Sequence, residues 1–290
     1  MRLLKRLAVT TALALSASWA SAATPLKLTV YNPGTEAMFP VSSVLVSGEK
    51  EAILVDAQFG ISQADKVVET IRQSGKKLTT VYISHGDPDY YFGLEKIKAA
   101  YPDARIVATP QTVTHIKETM AGKLAFWGPK LAADAPKTLV VPEVLEGDTL
   151  ELEGRPLKIV GLAGPQPERS FVWIPSIRAV VGGVVLFNNL HVWMADTQGA
   201  KSHADWLATL KAIDALKPKV VVPGHSLAGS SPALKAAAFT AGYIRAFDAQ
   251  TAKAKDSAEL IAAMKKLYPN AGEVSSLELS AKVAKGEMKW

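Results

Sequence analysis

Two apolar β-branched runs in this chain each stop at a histidine: TTVYIS before His85 and KVVVPG before His225. A strand with almost no polar alternation reads as one covered on both faces, which requires helices packed against its sheet. The first run gives way to "HGDPDYYFG", which after the His holds a Gly, two Asp flanking a Pro, and a Tyr pair. Strand interiors do not tolerate that sequence, so these groups stand in a loop at a strand's carboxyl edge, where open α/β sheets place their sites.

The flanking segments fit that frame. Residues 26–31, 42–47 and 52–57 read as short strands, and 62–75 as a helix that Ser62 can cap, with Val67, Val68 and Ile71 as its apolar stripe and Gly75 as its end. FGLEKIKAAYP reads as a helix and ARIVAT as a strand. PQTVTHIKETMAG is a helix with Pro110 near its first turn, and residues 124–144, with three Pro, are expected to cross the surface without regular structure. Residues 148–154, 156–164, 170–175 and 178–183 read as four more strands, followed by a helix from Ser202 and the strand ending at His225. Two Ala-rich helices are expected after it, the first with Pro232 just inside its start. No repeat interrupts the pattern, and strands followed by repeated β–α units, twice, imply two sheets covered by helices within one domain over 23–290.

The first 22 residues stand apart. Arg2, Lys5 and Arg6 precede the apolar run LAVTTALALSA, and ASA at 20–22 supplies a small-residue cleavage site before Ala23. This pattern predicts a cleaved signal peptide and an exported protein, periplasmic or secreted, with no stable membrane span after cleavage. Removing those three cations from 33 basic residues, against 27 acidic ones, leaves a net charge of about +3 with no basic block, which argues against a nucleic-acid partner. The chain has no Cys, so its fold has no disulfides and any metal must be held by His, carboxylates, Tyr or Gln.

The loop TTVYISHGDPDYYFG, with VVVPGHS, AILVDAQFG and VVGGVVLFNNLHVWMADT in the same order, resembles the metallo-β-lactamase superfamily, whose loop reads H-x-H-x-D-H. The resemblance covers the mature chain and implies an α/β fold, an αββα sandwich of two mixed β-sheets flanked by helices, with a metal cleft at one edge. His85 stands at the first family His, Asp87 at the second, Asp89 at the family Asp, Tyr90 at the third His and His225 at the final His. Asp56 matches a structural Asp. The family's ligand dipeptide G-D appears as Gly182-Gly183, and the family's further His has only Gln166 near its place. The flavodiiron branch similarly carries an acid at the second His.

The expected ligand set is therefore His85, Asp87, Asp89 and His225, holding one transition-metal ion, zinc first and iron or manganese as alternatives. Asp89 is the candidate catalytic group, orienting or deprotonating a metal-bound water. Tyr90, His191 and Asp196 are second candidates. The bland readings are an Asx turn at Asp87-Pro88-Asp89 and a core histidine at His191. His115 reads as a surface or packing residue, and His203 as first-turn helix. Phe187, Trp127, Trp173 and Trp193 are either core or an aromatic wall for an apolar substrate. Two functions are compatible with these residues: a metal-dependent hydrolase acting on an ester, lactone, thioester or similar bond of a small-molecule substrate, or a lapsed binding module of the same fold with at most one metal. The incomplete ligand set argues against β-lactam hydrolysis. Oligomeric state has no signature in the sequence.

Overall fold

A computed structural model describes residues 24–227 and 233–290. The expected signal peptide and the segment around Pro232 lie outside the described residues.

The chain begins with strands β1 (Lys27–Tyr31), β2 (Ser43–Ser47) and β3 (Glu51–Val55), then helix α1 (Ile61–Ser74) and strand β4 (Lys77–Ile83). One turn of helix, α2 (Pro88–Tyr91), precedes α3 (Leu94–Ala100), β5 (Arg105–Ala108), α4 (Pro110–Leu131) and β6 (Glu143–Val144). The six strands form one sheet in sequence order, antiparallel from β1 to β3 and parallel from β3 to β6. A second set follows: β7 (Thr149–Leu152), β8 (Arg155–Val160), β9 (Phe171–Ile174), β10 (Ala179–Val181), β11 (Phe187–Asn188), α5 (Ala200–Ala215), β12 (Val220–Val221) and β13 (His225–Ser226). Its main sheet runs β12-β10-β9-β8-β7, while β11 and β13 pair separately in parallel. Helices α6 (Ala236–Thr251), α7 (Ser257–Leu267) and α8 (Val274–Ala284) close the chain.

The period-two alternation of strand side chains divides the core. Val44, Val46, Ile53 and Val55 pack with Leu150, Leu157, Ile159, Val172 and Val181 between the two sheets. Their neighbours Leu45 and Leu54, with Val81 and Ile83, belong to the cluster that includes Val67, Ile71, Ile97 and Ile116 of the helices. On the second sheet Val180 faces the same way as Trp206, Leu210 and Ile213 of α5. The result is the expected αββα sandwich.

Several boundaries differ from the sequence reading. Helix α1 starts after Gly60, and Ser62 lies inside it, donating its N–H and hydroxyl to Asp134 at 2.7 and 3.0 Å. A carboxylate from 72 residues away thus serves the orphan donors of the first turn. Helix α4 does not end at Gly122 but continues through Phe126 and Trp127 to Leu131, with Pro129 inside its last turn. Packing of that apolar face outweighs the ~1 kcal/mol that one Gly costs a helix. The KVVVPG run pairs only over Val220–Val221. The C-terminal region carries α8 beyond the two helices expected.

Candidate functional site

Three strand ends are fastened together beneath the site. Asp56, just after β3, adopts φ +66° and accepts from the Ser84 N–H and hydroxyl at 2.8 and 2.7 Å. The Gly183 N–H, just after β10, donates to the same hydroxyl oxygen at 2.7 Å. Asp56 is fully buried, which pushes its carboxyl up to about 7 against the lowering effect of the Ser84 donors. The expected structural role of Asp56 is therefore visible as a link between both sheets.

On this base the loop after β4 carries His85, Asp87, Asp89 and Tyr90. Pro88 occupies the first turn of α2, so the loop is a short helix entry rather than an open turn. The four residues sort into two pairs. His85 Nδ1 lies 3.3 Å from Asp87 Oδ2, and Asp87 Oδ1 is held by the Lys123 ammonium of α4. His225 Nε2 lies 3.2 Å from Asp89 Oδ2. The Tyr90 ring stands between, edge-on to both imidazoles at 5.4 and 5.6 Å, and Phe187 stacks on His225 at 4.9 Å. Burial opposes ionisation of Asp87, but His85 and Lys123 outweigh it and hold the carboxyl well below its usual range. Burial likewise disfavours the His225 imidazolium, and Asp89 outweighs it, raising its pKa. The Tyr90 phenol is pushed well above its usual value by burial and by Asp89, so it stays protonated.

The second-tier candidates separate. His191 is buried, with Nδ1 3.0 Å from the Tyr243 hydroxyl, and burial lowers its pKa to about 4, as in a core histidine. Asp196 joins the site, its two oxygens accepting from the indole N–H groups of Trp193 and Trp290 at 2.6 and 2.5 Å. His115 is closer to the chemistry than its sequence position suggested, with Nε2 3.3 Å from Lys123 Nζ and its ring 6.5 Å from that of His85. His203 contacts Asp248 at 2.6 Å, joining α5 to α6.

Two cavities flank the loop and share Asp87, Lys123, Asp196 and Trp290. One, of about 220 Å³, has aromatic walls and a floor that includes Asp89, His225 and Glu273. The other, of about 430 Å³, is polar and is lined by His85, His115, Gln166 and Arg169 among others. Arg169 is buried, its guanidinium 4.2 Å from the Trp206 ring centroid, with Nε and Nη2 lacking hydrogen-bond partners. Sequence reasoning missed Lys123, Arg169 and Glu273. Nothing local marks them, because each reaches the site from a helix or loop distant in sequence.

The donor set can be tested for an ion. Among the described residues no three His, Asp or Glu side chains converge on one point. Asp87 is already neutralised by Lys123, and His225 Nδ1 is buried without a partner, whereas metal-bound imidazoles anchor their second nitrogen. Gly183 sits at φ +80°, and a Cβ there would lie 2.3 Å from the Ser170 carbonyl oxygen, so no carboxylate can be mounted at that position. As arranged, His85, Asp87, Asp89 and His225 do not fit a single ion held by all four.

A family model described as the metallo-β-lactamase superfamily matches residues 38–225. Among solved structures, a metallo-β-lactamase family protein from Thermus thermophilus superposes with a TM-score of 0.62 at 16% identity, covering 90% of this chain and 91% of that one. A metallo-β-lactamase from Pontibacter korlensis gives 0.53 at 16% identity, covering 76% and 99%. DIM-1 metallo-β-lactamase gives 0.53 at 16%, covering 77% and 99%. No curated protein sequence matches the chain. At these identities the structures share the fold.

Proposed function

Since this chain belongs to the metallo-β-lactamase superfamily, we propose that it is a hydrolase cleaving an ester, lactone, thioester or similar bond in a small substrate whose apolar part enters the aromatic cavity. The observation that carries this reading is the Asp89–His225 pair on the floor of that cavity. A buried carboxylate bonded to an imidazole can take a proton from an attacking water and return it to the leaving oxygen. In this scheme the water gives its proton to Asp89, His225 holds that carboxylate in place through Nε2, and the Lys123 ammonium faces the charge that develops on the carbonyl oxygen. β-Lactams are not the expected substrates.

Superfamily members typically bind one or two transition metals. The metal-dependent form of the proposal, with one zinc, iron or manganese ion on His85, Asp87, Asp89 and His225, requires Asp87 to leave Lys123, and the scheme above assigns no step to an ion. The closed pairing of both carboxylates with cations favours a second reading, a binding module that holds a small molecule in the same cavity without turning it over. A panel of phenyl and alkyl esters, lactones and thioesters, assayed with the purified chain before and after supplementation with zinc, iron or manganese, separates them. Turnover supports the hydrolase. Saturable binding of the same compounds without turnover in either state supports the module.

A further inference from the structure

The five rings at the mouth of the aromatic cavity form a closed circuit. Phe39 meets Trp127 at 5.2 Å, Trp127 meets Phe126 at 4.8 Å, Phe126 meets Trp290 at 5.9 Å, Trp290 meets Trp193 at 5.3 Å, and Trp193 returns to Phe39 at 6.0 Å. Each contact is steep, between 72° and 89°, so the rings stand as successive walls rather than as a stack. Asp196 fixes two of the walls by accepting from both indole N–H groups. Phe126 and Trp290 remain 40% and 43% exposed, which leaves the rim open.

The polar groups facing this space are Asp87, Asp89, Asp196 and Glu273 against Lys123 and His225, an excess of carboxylates. Lys123 pairs with Asp87 and His225 with Asp89. Glu273 forms no ion pair among the described residues, and its Oε1 is sealed from solvent without a hydrogen-bond partner. Its placement is enforced. Gly272 donates to Asn189 O and accepts from His191 N–H, both at 2.9 Å, and Glu273 follows at φ +58° before α8 begins. A non-glycine residue in that conformation is strained, and such strain gathers where a side chain has a task.

An apolar body alone would account for the rings but not for a buried carboxyl beneath them whose Oε1 has no hydrogen-bond partner. Ser276 hydrogen-bonds the group, burial raises its pKa to about 7, and a cation above it would favour its ionised form. Aromatic faces attract cations through their quadrupole, more strongly when the cation is desolvated. The same wall already does so with the chain's own Lys130, whose ammonium lies 3.6 Å from the Phe126 centroid and 5.5 Å from that of Trp127. We propose that the ring of Phe39, Trp127, Phe126, Trp290 and Trp193, floored by Glu273, is a cage for a small organic ammonium group. This names the substrate class of the proposed hydrolase, an ester or related compound bearing an alkylammonium. It rests on that reading for turnover, and the binding itself does not.

The test is a titration of the full mature chain with choline and with its neutral isostere 3,3-dimethylbutan-1-ol, followed by calorimetry and by indole fluorescence. Choline is expected to bind at least ~10-fold more tightly than the alcohol. Glu273→Gln should remove most of that preference while leaving the alcohol's affinity unchanged. Phe126→Leu, on the exposed rim, should weaken choline alone by several-fold and keeps the test open if the Glu273 variant folds poorly. Equal affinity for the two probes, a preference untouched by both substitutions, or displacement of choline by equimolar zinc would overturn the cage. Choline-selective binding without hydrolysis of any choline ester would leave the cage standing and count against the hydrolase alone.

Discussion

Replacing Gly183 by Ala perturbs the point where both sheets and the site loop meet. At φ +80° an L-residue loses ~1–2 kcal/mol relative to Gly. The new Cβ would stand 2.3 Å from the Ser170 carbonyl oxygen and 3.3 Å from Phe171 Cα, so β9 and β10 must separate locally, an overpacking cost of ~1–3 kcal/mol. The same movement stretches the 2.7 Å bond from Gly183 N–H to Ser84 Oγ, worth ~1 kcal/mol. Together these make the variant roughly 3–6 kcal/mol less stable, a fall in Tm of the order of 10 °C or more for a domain of this size. Differential scanning calorimetry of the purified protein reads it directly. Gly183→Asp should do worse, because it adds a buried carboxylate without creating a ligand. A Tm within about 2 °C of wild type for Gly183→Ala would refute the claim that this position has no room for a side chain.

Lys123→Gln leaves Asp87 with only His85, and should cost ~2 kcal/mol at pH 7 by urea unfolding. Because the Asp87 carboxyl is held below its usual range, its stabilisation is present above about pH 4 and is lost as pH falls through the lowered native value, so the difference between variant and wild type should shrink in acid. The same substitution frees a carboxylate, and should raise zinc content in elemental analysis of protein purified without chelator. His191→Phe should lower stability by ~1 kcal/mol through loss of the Tyr243 contact and leave ester turnover unchanged in a steady-state assay. Sequencing of exported protein should begin within a residue or two of Ala23; an intact Met1 there would count against the signal peptide.

The legible parts of this molecule were those written in local periodicity. Continuous apolar runs at β4 and before His225 marked buried strands, and their polar terminations drew attention to the loops holding His85 and His225, while the roles expected of those residues and of Asp89 came from the family resemblance. Asp56 was expected only from the resemblance to the metallo-β-lactamase superfamily. What could not be read depends on elements that meet only after folding. The α1 terminus is served by Asp134 rather than by Ser62, and α4 overrides Gly122 because Phe126 and Trp127 have aromatic partners in Phe39 and Trp290. Lys123, Arg169 and Glu273 look like ordinary surface charges in sequence, and become site residues only through contacts with residues such as Asp87 and Trp206. The carboxylate absent at Gly183 had a local reason too, but it lay in the Ser170 carbonyl of the neighbouring strand.

The role of the Asp89–His225 pair is decided by kcat/KM for an active ester, wild type beside Asp89→Asn, with metal content determined on the same samples. The substitution preserves shape while removing the negative charge and most of the proton-accepting capacity. We expect a fall of ~10²-fold or more, the usual worth of a positioned acid–base group, with Tm nearly unchanged. Equal turnover by the two proteins, at equal metal content, would show that the Asp89–His225 pair on the cavity floor takes no part in the reaction.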